Sequence, residues 1–228
     1  MKRTIIFAVV LAAEVFIAQI GQAQGTLYMS NLAQPAAGGG TVASDEWLAA
    51  IFDTGTNSGG YDLNSVQLLM NAASGSPSNF VASLYSVNGS ISGTSFLGSN
   101  LGSFSGSTNP SAAGVYTYTA SGIAVSPSTQ YFLVLTATTP LSGGSYNWSY
   151  AGNPSFSSSD NWSFPGINFV SSNGGSNWGR DFSSFQFAIY ATAVPEPSII
   201  SIFMLGSGVL IYVRRVFRRG GASIDTDC

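Results

Sequence analysis

Phe185-Gln186-Phe187-Ala188-Ile189-Tyr190-Ala191-Thr192-Ala193 decides the fold class of this chain. Its periodicity is two, not 3.6. Phe185, Phe187 and Ile189 fall on one face, and Gln186, Ala188 and Tyr190 on the other. Such alternation sets one face of a strand on a core and leaves the other partly wet. Four further stretches read the same way: Ser65 to Leu69, Phe80 to Ser86, Val115 to Ala120 and Tyr131 to Thr138. All are rich in aromatic and β-branched residues. Tyr131 to Leu135 is apolar on both faces, which predicts a central strand.

Turn signals punctuate these runs. Asn88-Gly89 predicts a two-residue hairpin joining Leu84–Val87 to Ser90–Ile91. Ser76-Pro77, Asn109-Pro110, Ser126-Pro127 and Asn153-Pro154 mark other turns. No capped helical period appears between the two hydrophobic ends. The expected fold is all-β: an antiparallel β-sandwich of jelly-roll type over residues 41–193. Residues 24–40 read as a flexible lead-in.

Composition narrows the functions open to the body. From Gln24 to Thr192 there is no lysine, histidine or cysteine, and Arg180 is the sole basic residue. It faces six acids: Asp45, Glu46, Asp53, Asp62, Asp160 and Asp181. This negative body repels phosphate backbones and excludes nucleic acid as a partner. Charged residues make up 7% of the chain, so serine, asparagine, threonine and glycine must carry solubility. The lone Cys228 closes no internal disulfide, so packing alone must hold the domain.

Both ends carry targeting features. Lys2 and Arg3 precede an apolar run from Ile5 to Ala13, continued by Val15 to Ala18, and Gly21-Gln22-Ala23 supplies small residues. This is the layout of a secretory signal peptide, residues 1–23, cut by signal peptidase after Ala23. Glu14 interrupts the run, which suits a removable signal better than the competing reading of a retained anchor. At the other end, Val194-Pro195-Glu196-Pro197-Ser198 is followed by an uncharged run, Ile199 to Val213, and then Arg214, Arg215, Arg218 and Arg219. Prolines 195 and 197 stop the strand before them. In lipid the run must be helical to satisfy its own backbone. The arginines resist crossing a bilayer and hold the C-terminal end in the cytoplasm. The run spans only about 22 Å. Phe217 and the snorkelling stems of Arg214 and Arg215 would extend it toward bilayer thickness. The competing reading is a core helix followed by a solvated basic patch.

The order of Pro195-Glu196-Pro197, short hydrophobic helix and arginine cluster resembles the PEP-CTERM sorting signal of Gram-negative bacteria, here over residues 194–219. The resemblance implies recognition by an exosortase, a membrane protease that cuts at or near the motif. It further implies inner-membrane anchoring during sorting, then release to the cell surface or to an exopolysaccharide-rich extracellular matrix or biofilm. Residues 220–228 form a polar tail where members usually stop sooner. The body is similar to the choice-of-anchor R type of domain found upstream of such tails. The carriers are Trp47 to Thr54, Leu63 to Leu69, Val81 to Tyr85, Val125 to Val134 and Phe185 to Tyr190. That likeness implies a surface domain and no chemistry.

Candidate sites in the body are few. The absence of histidine removes Ser-His-Asp catalysis and histidine metal sites. The chain is expected to be non-enzymatic and to need no cofactor. Paired carboxylates drawn from the six acids would be required for a glycosidase, the remote alternative. Calcium is the one ion those acids leave open, but no Asp-x-Asp-x-Asp pattern occurs. Trp148, Trp162 and Trp178, each next to an asparagine in turn-rich sequence, admit two readings. Exposed, they would stack on sugar rings and make the body a carbohydrate-binding module. Buried, they would plug the ends of the sandwich, the expected place for rings of this size.

Overall fold

The computed structural model describes residues 25–89, 91 and 95–196. The expected signal peptide, the apolar run, the arginine cluster and the polar tail lie outside the described residues. One compact unit ends at Val194, and a second begins at Pro195.

The described residues form strands and no helix. In chain order the first eight are β1 (Thr26–Ser30), β2 (Ala36–Val42), β3 (Trp47–Asp53), β4 (Tyr61–Gly75), β5 (Val81–Val87), β6 (Leu97–Ser103), β7 (Gly114–Thr119) and β8 (Ala124–Val125). There follow β9 (Gln130–Thr136), β10 (Gly144–Ala151), β11 (Ser157–Ser158), β12 (Asn168–Ser171), β13 (Gly179–Asp181), β14 (Ser184–Phe185) and β15 (Phe187–Ala193). They make two antiparallel sheets. The smaller has the order β13-β12-β3-β9-β5-β6. The larger runs β11-β1-β15-β4-β10-β14, with β2 added to β10 and with β7 and β8 added to β4.

The two sheets share one core, as a β-sandwich requires. Leu48, Ala50 and Phe52 of β3 and Leu133 and Leu135 of β9 join a cluster with Val66, Leu68 and Met70 of β4 and Phe187 and Ile189 of β15. Each large apolar side chain buried there is worth roughly 1.5–3 kcal/mol. The alternate residues of β3 and β9 are buried as well. Ala49, Ile51, Phe132 and Val134 pack under Phe96, Phe169 and Trp178 on the other face of the smaller sheet. The two-sided apolar character of Tyr131 to Leu135 has this cause, and β9 is central, between β3 and β5.

Strand β4 organises the larger sheet. One edge carries β7 and β8. The opposite edge is shared: β15 pairs with Tyr61 to Leu68, and β10 pairs with Met70 to Gly75. The sheet therefore forks beyond β4. One branch continues through β15 to β1, and the other through β10 to β2. Gln186 lies at the fork, between β14 and β15, with its backbone N–H donated to Ser149 O and its carbonyl accepting from Leu69 N.

Two expectations are corrected. Residues 24–40 are not a flexible lead-in: β1 pairs with β15 and β2 pairs with β10, so the sandwich starts at Thr26 and not at residue 41. The glycine run Gly38-Gly39-Gly40 belongs in β2 because neighbouring side chains lie across it. A Cβ on Gly39 would overlap Asn147 Oδ1 and Asn71 Nδ2, and one on Gly40 would meet Leu48 and Phe185. The second correction concerns Asn88-Gly89. Gly89 does adopt a positive φ of 70°, but the returning strand is β6, which pairs Leu97 with Val87, not Ser90–Ile91. Asn88 N–H donates to Phe96 O at 2.8 Å, so the chain returns to β5 at Phe96.

Candidate functional site

Trp148, Trp162 and Trp178 are 0%, 1% and 4% exposed. None can offer a ring face to a sugar, so the sugar-stacking role is corrected for all three. Trp148 is not in a loop but on β10, stacked on Phe185 with ring centroids 4.6 Å apart. Its indole N–H donates to Gln186 O at 2.9 Å. Trp162 is stacked between Tyr28 and Phe52, at 5.2 and 5.7 Å, with Tyr61 edge-on at 5.1 Å. Its indole N–H is buried and has no hydrogen-bond partner among the described residues. Trp178 packs near Phe96 over the outer face of the smaller sheet, and its N–H donates to Gly175 O. Packing area on this scale outweighs any benefit of exposing the rings.

The acids are dispersed: Asp45, Glu46 and Asp160 lie in loops, and Asp53, Asp62 and Asp181 lie on β3, β4 and β13. Asp45 Oδ1 accepts the Leu141 N–H at 2.8 Å, and Asp181 Oδ1 accepts the Ser183 N–H at 2.7 Å. Glu46 accepts from the Thr41 hydroxyl, Asp53 from Ser163 at 3.2 Å, and Asp160 from the Tyr61 hydroxyl. Burial, then the bond to Asp160, raises the Tyr61 pKa. Among the described residues no three such groups gather to hold a metal.

The start of the predicted sorting motif is held firmly. Val194 N–H donates to Gly60 O at 3.0 Å, and Val194 O accepts from Asn57 Nδ2 at 3.0 Å. Asn57 Nδ2 also donates to Gly60 O at 2.6 Å, which ties the loop and the strand exit together. Pro195 and Glu196 are exposed. Pro197, Ser198 and the arginines 214, 215, 218 and 219 lie outside the described residues.

A groove of about 570 Å³ opens beside the β8–β9 turn. β5 and β6 supply Ser86, Val87 and Leu101, while Ser126, Ser128 and Gln130 form the facing wall. Among the described residues no charged side chain lines it. Ser128 has a φ of 47°. The other non-glycine residues with positive φ are asparagine or aspartate, which tolerate it. For serine the left-handed conformation costs about 1–2 kcal/mol. Thr54, 2% exposed, enforces it. The Thr54 hydroxyl donates to Ser126 O at 2.6 Å and accepts from Thr129 N at 3.0 Å. Thr54 N donates to Thr129 O at 3.0 Å, and Ser128 N donates to Gly55 O at 2.8 Å. The Tyr131 hydroxyl accepts the Ser126 N–H at 2.9 Å, closing the clamp.

Sequence reasoning did not single out this groove. Ser126-Pro127 is legible as a turn, but the opposing β5–β6 wall joins it only through tertiary pairing. No known protein family, curated protein or solved structure matches the chain.

Proposed function

We propose that this is a non-enzymatic exported surface or matrix protein, a β-sandwich of the jelly-roll kind, delivered by a signal peptide and sorted through its C-terminal PEP-CTERM-like signal. The observation that carries the reading is the order of features after the last strand: Pro195-Glu196-Pro197, the uncharged run Ile199 to Val213, then four arginines. A membrane protease of the exosortase type is the partner. Val194 to Ser198 serve as its recognition motif, the run as a transmembrane helix, and Arg214, Arg215, Arg218 and Arg219 as the topology-setting group. The domain geometry suits this role. Its final strand ends at Ala193, Val194 is hydrogen-bonded to Gly60, and Pro195 and Glu196, next in sequence, are exposed. Exopolysaccharide is the surrounding the sorted protein would meet.

The test replaces Pro195, Glu196 and Pro197 with alanines in the producing cells and follows intact mass and cell fractionation. The variant is expected to keep its C-terminal segment and stay in the inner membrane. Normal processing and normal location of the variant would remove the motif from the mechanism.

A further inference from the structure

We infer that the groove between the β5–β6 hairpin and the Ser126–Thr129 turn binds an uncharged polyhydroxylated chain, a segment of neutral polysaccharide. Three observations meet there. The first is charge. None of the described lining residues is a carboxylate or a cation, Tyr131 being a neutral phenol at ordinary pH, and the only basic residue of the domain, Arg180, is on β13, at the opposite edge of the smaller sheet from β6. An anionic ligand finds no countercharge in this site, and a cation finds no carboxylate.

The second is the kind of group presented. Ser126 and Ser128 are exposed, and among the described residues neither their hydroxyls nor the Gln130 amide makes a hydrogen bond. A serine hydroxyl both donates and accepts, and an amide offers two donors and an acceptor. Sugar hydroxyls need that mixed pairing. Val87 and Leu101, the latter 40% exposed, supply apolar contact for the C–H faces of a ring. The volume of about 570 Å³ lies in the range of ligand sites.

The third is the strain at Ser128. Glycine is the residue that a turn with positive φ at this position ordinarily takes. The chain holds serine there instead and constrains it through buried Thr54, Gly55 O and Tyr131. Strain held in place by its surroundings is a mark of a functional wall. The fold would be served better by glycine, and the serine hydroxyl is what the strain retains. This inference concerns the sandwich alone and stands whether or not the tail is a sorting signal.

The test uses the full-length protein in detergent micelles, labelled for amide NMR. It is titrated with neutral glucose-, mannose- and galactose-based tetrasaccharides and with a tetrameric uronate. A neutral tetrasaccharide is expected to shift the amides of Ser126 to Gln130 and of Val87, while the uronate leaves them in place. Gln130→Ala should weaken that binding about tenfold. Ser128→Gly should weaken it too while raising the melting temperature, an outcome that separates loss of a ligand contact from loss of fold. The inference is overturned if no neutral saccharide shifts these amides, if the uronate binds as well as the neutral chains, or if either variant binds normally. A lower melting temperature for Ser128→Gly would also overturn it, since the serine would then be supporting the fold.

Discussion

Asn31 is bonded to Phe187 in both directions: its backbone N–H donates to Phe187 O at 3.2 Å, and its side-chain Oδ1 accepts the Phe187 N–H at 2.9 Å. The same side chain donates through Nδ2 to Phe185 O at 2.9 Å. The carboxamide thus stands in for a strand at the point where the larger sheet forks. Gln186, enclosed by these contacts, donates from Nε2 to Gln34 O at 2.7 Å and accepts at Oε1 from the Ser149 hydroxyl at 2.7 Å. Both amide residues are buried. Backbone groups that lose ladder partners at a fork must find others, because orphaned buried polar groups are costly.

Removing that carboxamide should be severe. Asn31→Leu leaves Phe187 N–H and Phe185 O without their partners, at about 1–3 kcal/mol for each group. Urea unfolding should show a lower midpoint at unchanged slope. A midpoint equal to that of the parent would mean that the fork does not depend on Asn31.

The glycine strand makes a second prediction. Asn71 Nδ2 donates to Asn147 Oδ1 at 2.9 Å across the Gly39 backbone. Gly39→Ala would drive a methyl into both amides and should cost about 1–3 kcal/mol. Gly152→Ala is the control, because its new Cβ would meet only the Ala37 methyl at 3.4 Å. That change should stay within about 0.5 kcal/mol. Thermal melts of the two variants check the contrast, and equal losses would contradict it.

Two tryptophans differ in how their indole N–H is treated. Trp148→Phe breaks a hydrogen bond to Gln186 O, whereas Trp162→Phe removes a buried N–H that has no partner among the described residues. Both changes lose ring area. The Trp148 variant should therefore be the less stable of the two, by about 1–2 kcal/mol. Denaturant midpoints decide this, and a reversed order would show that the Trp162 N–H is satisfied in solution.

Alkaline pH should weaken the domain. Burial raises the pKa of Tyr28, Tyr61, Tyr118 and Tyr146 above the ordinary value of 10.0. Their folded forms hold the proton more tightly than the unfolded chain does. The stability they contribute is complete below pH 10 and is lost as pH rises through their folded values. Denaturation midpoints should be flat with respect to these groups up to about pH 10 and fall above it, with phenolate absorbance lagging behind that of free tyrosine. Phenolate appearing at the ordinary pH with no loss of stability would contradict the burial.

The fold class was legible where large side chains alternated with period two or filled both faces of a short β-rich run. Phe187 to Ala193 and Tyr131 to Leu135 announce strands, and both are strands. Residues whose partners lie far away in sequence were harder to read. Gly38-Gly39-Gly40 has the composition of a loop and becomes a strand only because Asn71, Asn147 and Leu48 cover it. Tyr146, Trp148 and Tyr150 alternate with period two, but the asparagine and serine between them read as turn chemistry. The fork was invisible, since Gln186 continues the alternation of its strand while its backbone serves two others. The groove depends on Thr54 reaching the turn at Ser126–Thr129, a contact that no local pattern announces.

The pairing of the domain's first strand with its last, Leu27 opposite Tyr190, also governs when the sheet can close. That rung connects nearly the full length of the sandwich, and β4, which holds β15, depends on it as well. Loop-closure entropy makes so non-local a topology slow to assemble. A polypeptide emerging N-terminus first cannot complete the larger sheet until Ala193 has appeared. Until then β1 lacks the neighbour that joins it to β4, and that branch of the sheet stays unpaired.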